Sequence, residues 1–229
     1  MTSIAANLQA VRARIAAAAR AAGRHPESVR LLAVSKTWPV ACVQEAAQAG
    51  QREFGENYVQ EGVSKIAALA AQQLEWHFIG PLQSNKTRLV ADHFQWVHSI
   101  DRLKVAERLS AQREGHLPPL QSCIQVNVSG EASKSGVAPG EVAALAAAVG
   151  QLRGLRLRGL MCIPEPERDE TRLRARFAML RELRDGLNRT GFDLDTLSMG
   201  MSHDLEPAIA EGATIVRVGT AIFGTRGHA

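Results

Sequence analysis

The sequence predicts a single (β/α)8 barrel of the TIM type with an extra helix at its N-terminus. Eight apolar runs of strand length alternate with longer segments of helical periodicity across 229 residues. No linker, low-complexity stretch or repeat divides the chain, so one domain over 1–229 is expected, a length usual for such barrels. The first strand runs into "SKTWP", where a doubly wound open sheet would carry a glycine-rich fingerprint.

The elements follow in order. An opening helix carries the apolar stripe Ile4, Leu8, Val11 and Ile15 and ends near Gly23. Strands are expected at 30–36, 52–55, 76–80, 95–100, 121–128, 155–163, 196–199 and 214–219. Helices are expected at 39–50, 57–73, 84–92, 101–114, 139–150, 168–190 and 204–212. The segments "LPP" at 117–119 and "IPEPERD" at 163–169 read as turns within this alternation.

Composition excludes several classes. No apolar stretch is long enough to span a bilayer, and the N-terminal segment is interrupted by Arg12, Arg14 and Arg20, unlike an export signal, so a cytoplasmic protein is expected. The net charge of +4 is spread along 153–189, where arginines and carboxylates alternate around Leu173, Phe177, Leu180, Leu183 and Leu187, the pattern of a solvated helix face. With three tryptophans, one tyrosine and six phenylalanines, and no basic-aromatic cluster, nucleic acid is not an expected partner. Cys42, Cys123 and Cys162 are scattered through apolar runs and read as buried thiols, not as a disulfide framework or a metal site.

A barrel places its chemistry at the C-terminal ends of its strands. Those ends carry Lys36, Gly55 to Asn57, Gly80, Ser99 with Asp101, Asn127, Met161, Ser198 to Ser202, and Arg217 to Thr220. Lys36 follows "LLAVS" and brings an amine to the mouth, where it either reaches solvent or, as a neutral amine, attacks an aldehyde. Gly219 and Thr220 open a short helix after the eighth strand, in the region where barrels of this kind often hold phosphate. Ser202 either joins them or caps the helix at 204–212. Arg217 stands inside "TIVRVG" and needs a buried partner, either a structural carboxylate or a ring nitrogen of a bound cofactor. These features fit a sugar-phosphate substrate of a Schiff-base aldolase or pyridoxal 5′-phosphate (PLP).

Among secondary candidates, His77 reads as a satisfied core histidine. His203 adjoins Ser202, Ser84 is a cap for the fourth helix beside Asn85 and Lys86, and Lys134 lies in a Gly/Ser loop over 129–136.

The segments "LLAVSKTWP", "FGENYVQE", "WHFIGPLQSNK", "SIDR", "QVNVSGEASKSG" and "SMGMSHDLEPAIAEGATIVRVGTAIFG" resemble, in order and over nearly the whole chain, the pyridoxal phosphate homeostasis protein family, the YggS-like proteins. The resemblance implies a fold type III PLP-binding barrel, like the N-terminal domain of alanine racemase, with the cofactor at the strand ends. It implies that Lys36 forms the internal aldimine and that Ser202 with the backbone of Gly219 and Thr220 holds the phosphate. It also implies that Arg217 faces the pyridine nitrogen, while Asn57, Met199, Gly200 and Met201 line the cofactor's faces and edges. A permanently protonated arginine leaves that nitrogen unprotonated, which makes the ring a weak electron sink. Alanine racemase takes its second base, a tyrosine, from an additional domain, and the single tyrosine here, Tyr58 beside Asn57, is not its counterpart. The expected function is to hold PLP reversibly and deliver it to PLP-dependent apo-enzymes as a monomer or weak dimer. Substantial amino-acid turnover is not expected; a PLP-dependent racemase and a Schiff-base aldolase are the alternatives.

Overall fold

A computed structural model describes residues 3–113, 115–130 and 135–225. Eight parallel strands close into a barrel in sequential order, β1 (Arg30–Val34), β2 (Glu53–Glu56), β3 (Glu75–Phe78), β4 (Trp96–Ile100), β5 (Leu120–Gln125), β6 (Leu155–Met161), β7 (Thr196–Ser198) and β8 (Ile215–Val218). Closure is made by β1 against β8, with Leu32 beside Arg217 and Ala33 beside Val218. The helices are α1 (Ile4–Ala21), α2 (Val40–Gln48), α3 (Val59–Ala68), α4 (Thr87–His93), α5 (Leu103–Gln112), α6 (Val142–Gly150), α7 (Glu170–Arg189), α8 (Leu205–Ala210) and α9 (Thr220–Phe223). Every expected strand and helix is present, with ends shifted by a few residues.

Local chemistry sets several boundaries. The Ser3 hydroxyl accepts the Ala6 N–H to start α1, and Asp169 accepts the amides of Thr171 and Arg172 to start α7. In α7 the buried residues Leu173, Phe177, Leu180 and Leu187 share one face, as their spacing requires. The fourth helix starts at Thr87, later than expected, so Ser84 is not its cap; its carbonyl instead accepts the Thr87 hydroxyl.

Two apolar regions result. Most buried side chains fill the layer between strands and helices. The lumen holds Leu32, Val34, Ile79 and Ile215 in one cluster and Trp96, Cys123 and Met161 in another. Polar lumen residues accompany them: His77, His98, Ser198 and Arg217 are all buried. Helix α1 packs on α2, α8 and α9, burying Leu8, Val11, Ile15 and Ala19.

Candidate functional site

The lumen opens at the C-terminal ends of the strands into a cavity of about 520 Å³, within the usual size of a small-molecule site. It is lined by Lys36, Asn57, Met201, Ser202, Arg217, Gly219 and Thr220, so seven of the nine expected site residues meet there. The other two do not. Met199 is wholly buried in the strand–helix layer, because alternation past β7 sends Ser198 inward and Met199 outward. Gly200 turns behind the site at φ +94°, and its carbonyl accepts the Arg217 backbone N–H at 2.9 Å. Lys134 lies outside the described residues.

Arg217 fixes the floor of the cavity. Its Nη1 donates to the Ser198 carbonyl at 2.5 Å and hydroxyl at 2.9 Å, and Nη2 donates to the Cys162 carbonyl at 2.8 Å. None of these partners is a carboxylate. Burial draws the Arg217 pKa down from its ordinary value, yet an arginine starts so high that it remains a cation. The two thiols nearby, Cys123 and Cys162, are pushed up to about 12 by burial and stay protonated.

Behind Arg217 a hydrogen-bonded chain runs down the lumen. Ser198 Oγ meets His98 Nδ1 at 2.8 Å, His98 Nε2 meets His77 Nδ1 at 2.9 Å, and His77 Nε2 meets Glu75 Oε1 at 2.9 Å. Its polarity follows from the last member. The His77 hydrogen bond and the Arg30 guanidinium hold the Glu75 carboxyl at about 2, so it only accepts. Burial lowers the pKa of both His77 and His98, so each is neutral and carries one N–H. His77 therefore donates through Nε2, His98 donates through Nε2 to His77, and the Ser198 hydroxyl donates to His98 while accepting from Arg217. The buried guanidinium is thus linked through dipoles of one direction to the Glu75 carboxylate at the far end of the lumen. There the ligand atoms of Glu53, Glu75 and His77 lie within 4.8 Å of one another. Arg30, at 2.9 Å from Glu53 and 2.5 Å from Glu75, supplies the cation that this cluster needs.

The opposite wall is built from chain turns. Gly219 has no side chain where a Cβ would sit 3.1 Å from the Val34 carbonyl oxygen, and it caps α9. First-turn amides such as those of Thr220 and Ala221 have no carbonyl partner within their helix. Ser202 lines the cavity and does not cap α8, whose cap position is held by Asp204. Gly80 lets the Asn57 backbone approach so closely that a Cβ would lie 2.4 Å from the Asn57 carbonyl oxygen. Asn57 Oδ1 is buried with no hydrogen-bond partner. Trp38, stacked on Phe223 at 5.9 Å, closes one side.

These residues fit PLP on their own geometry. A primary amine, an unpaired buried acceptor, a guanidinium without a carboxylate and the amides of a helix start converge on one concave apolar space. His77 is the satisfied core histidine that the sequence predicts, whereas the part of His98 and Ser198 behind Arg217 emerges only in the structure. The signal available was that His77 and His98 occupy inward positions on adjacent strands, in "EWHF" and "WVHSI".

The model of the alanine racemase N-terminal domain matches residues 6–227. The chain is 64% identical over 228 residues to the pyridoxal phosphate homeostasis protein of Pseudomonas aeruginosa, covering 100% of this chain and 98% of that protein. It is 56% identical over 234 residues to the protein of the same name from Escherichia coli K12, covering 100% and 99%. Among solved structures, PipY of Synechococcus elongatus with PLP bound superposes with a TM-score of 0.86 at 39% identity, covering 97% of this chain and all 100% of that one. Alanine racemase of Corynebacterium glutamicum shares the fold, with a TM-score of 0.71 at 16% identity over 97% of this chain and 62% of the racemase. The barrel, its order of motifs and these full-length likenesses make the chain a member of the pyridoxal phosphate homeostasis protein family, built on the alanine racemase N-terminal fold.

Proposed function

We propose that the protein is a single-domain cytoplasmic carrier that holds PLP reversibly on Lys36 and releases it to PLP-dependent apo-enzymes. The observation that carries this reading is the meeting of Lys36 and the carboxylate-free Arg217 in one cavity. The family name of its relatives and the PLP in PipY support it. The bound group supplies an aldehyde that condenses with a primary amine, with loss of one water, and is released by the reverse reaction. Lys36 provides that amine. Arg217 directs a cationic donor at the pyridine nitrogen and cannot protonate it, so the ring is left a poor sink for a carbanion. Ser202 and the amides after Gly219 hold the phosphate.

The same geometry favours holding over turnover. Among the described residues, the titratable side chains lining the cavity are Lys36, His203 and Arg217. Tyr58 is 57% exposed and does not line it. A two-base exchange at an amino-acid α-carbon needs a second base facing the lysine; Arg217 cannot serve, and the exposed His203 adjoins Ser202 at the phosphate end of the cavity. We infer a monomer or weak dimer.

The test is the near-visible absorption spectrum of the protein before and after addition of PLP, alongside Lys36→Ala. A yellow band that borohydride removes, and that Lys36→Ala lacks, is expected. A parent protein without that band in excess PLP would overturn the reading. Proton NMR of amino acids incubated with the loaded protein in deuterium oxide separates carrier from racemase: α-proton loss at turnover rates would favour the racemase.

A further inference from the structure

The turn that carries Lys36 is held from behind by a buried ion cluster that does not line the cavity. Lys65 on α3 has a side chain only 4% exposed, and its Nζ donates to three oxygens, each at 2.7 Å: the Ser35 carbonyl, Glu56 Oε1 and Glu61 Oε1. The Ser35 hydroxyl donates to Glu56 Oε1 at 2.7 Å, and Glu56 is fully buried. On the other side of Lys36, the Thr37 N–H donates to Glu61 Oε1 at 2.5 Å. Thr37 itself stands at φ +65°, a left-handed conformation that a β-branched residue adopts only under constraint.

Two physical facts make this more than packing. Removing a lysine and a glutamate from water costs more than their attraction returns in many proteins, so a buried pair is not explained by stability. Its bonds beyond the ion pairs go to Ser35 and Thr37, the two residues that flank Lys36. The Glu61 bond holds the amide of the strained Thr37, and Lys36, between the two clamped residues, lines the cavity.

We propose that Lys65, Glu61 and Glu56 are positioning residues for Lys36, a clamp that keeps the β1–α2 turn in its left-handed form and so aims the amine at the aldehyde of the bound cofactor. The clamp acts on the backbone at either side of Lys36, through the Ser35 carbonyl and the Thr37 amide. It rests on the reading of Lys36 as the amine that joins PLP, and it deepens that reading by naming what sets the amine's direction.

The strain at Thr37 supplies the test, because glycine adopts this φ without cost. Three variants are compared with the parent by stopped-flow absorbance on mixing with PLP: Glu61→Gln, Glu61→Ala, and Glu61→Ala combined with Thr37→Gly. Hydrogen exchange of the Thr37 amide, measured without PLP, gives a second readout. Glu61→Gln, which keeps an acceptor oxygen, is expected to form the band within about threefold of the parent rate. Glu61→Ala is expected to slow it by about tenfold or more and to expose the Thr37 amide to exchange. Adding Thr37→Gly is expected to recover most of the lost rate while thermal stability stays at the Glu61→Ala level or changes little. A Glu61→Ala rate within twofold of the parent, or a slowed rate that Thr37→Gly leaves unchanged, overturns the clamp. Failure of the underlying reading is separately visible, since the parent itself would then form no band.

Discussion

At the scale of single residues the site is organised around Arg217, whose guanidinium donates to three neutral oxygens. Replacing it by methionine removes the guanidinium donor from the Cys162 carbonyl and the Ser198 hydroxyl, while the Ser198 carbonyl keeps the Cys162 N–H at 3.2 Å. Each buried polar group left unpaired costs about 1–3 kcal/mol, so Arg217→Met is expected to lower stability by an amount of that order or somewhat more, read as a drop in the urea midpoint. Arg217→Lys is expected to recover little of it. A single ammonium at the end of a flexible stem does not span two carbonyls and a hydroxyl as the planar fork does. Equal urea midpoints for parent and methionine variant would show that water replaces the guanidinium without cost.

Among the strands, His77 on β3 and His98 on β4 convert the alternation of side chains into a directional chain. Both imidazoles are expected to be neutral with the proton on Nε2, which long-range proton–nitrogen spectra report directly; a proton on Nδ1 of either ring would reverse the chain. Stability follows with a definite sign. Both pKa values are depressed in the folded protein, so the stabilisation is complete above the unfolded value, near 6.5, and declines as pH falls below it. While the folded rings stay neutral, the decline is about 1.4 kcal/mol per pH unit for each histidine. Glu75 adds a smaller loss lower down, from about 4.5 towards about 2, moderated because its side chain is 39% exposed. Urea midpoints measured from pH 8 to pH 4 test the sign, and a midpoint that rises as pH falls from 7 to 5 would contradict it. The strands themselves were legible because their apolar runs end in polar or small residues, and Lys36, Ser202, Arg217, Gly219 and Thr220 lie at those ends. Met199 was misplaced because nearness in sequence says nothing of which face a residue takes just past a strand. Lys65 and Glu61 were not legible at all: a spacing of four residues on a helix allows an ion pair but does not say that the pair lies under β1.

For the whole molecule, the helix added before the barrel ties together the two segments assigned to the phosphate. Asn7 Nδ2 donates to the Ile222 carbonyl at 2.8 Å, in the α9 turn that begins at Gly219 and Thr220. Arg14 Nη2 donates to the Ser202 carbonyl at 3.3 Å while the same guanidinium pairs with Glu206 on α8 at 3.0 Å. Between these polar contacts, Leu8, Val11 and Ile15 seal α1 to the barrel, and Leu8→Ala is expected to cost about 2–5 kcal/mol because that side chain is fully buried. The two polar contacts belong to a different account. They lie at the ends of the apolar seam and touch backbone of the phosphate segments, so removing both leaves the barrel folded and loosens the geometry at which the amides and hydroxyl meet an anion. The double variant Asn7→Ala, Arg14→Ala is therefore expected to bind PLP about tenfold more weakly, an effect of ~1.4 kcal/mol, typical for hydrogen bonds that only orient. Pyridoxal, which has the same aldehyde and ring but no phosphate, is expected to bind parent and variant alike. Titration calorimetry with the two compounds measures the difference. An equal loss for both would place the effect at the barrel as a whole, and no loss for either would mean that Ser202, Gly219 and Thr220 keep their places without the helix.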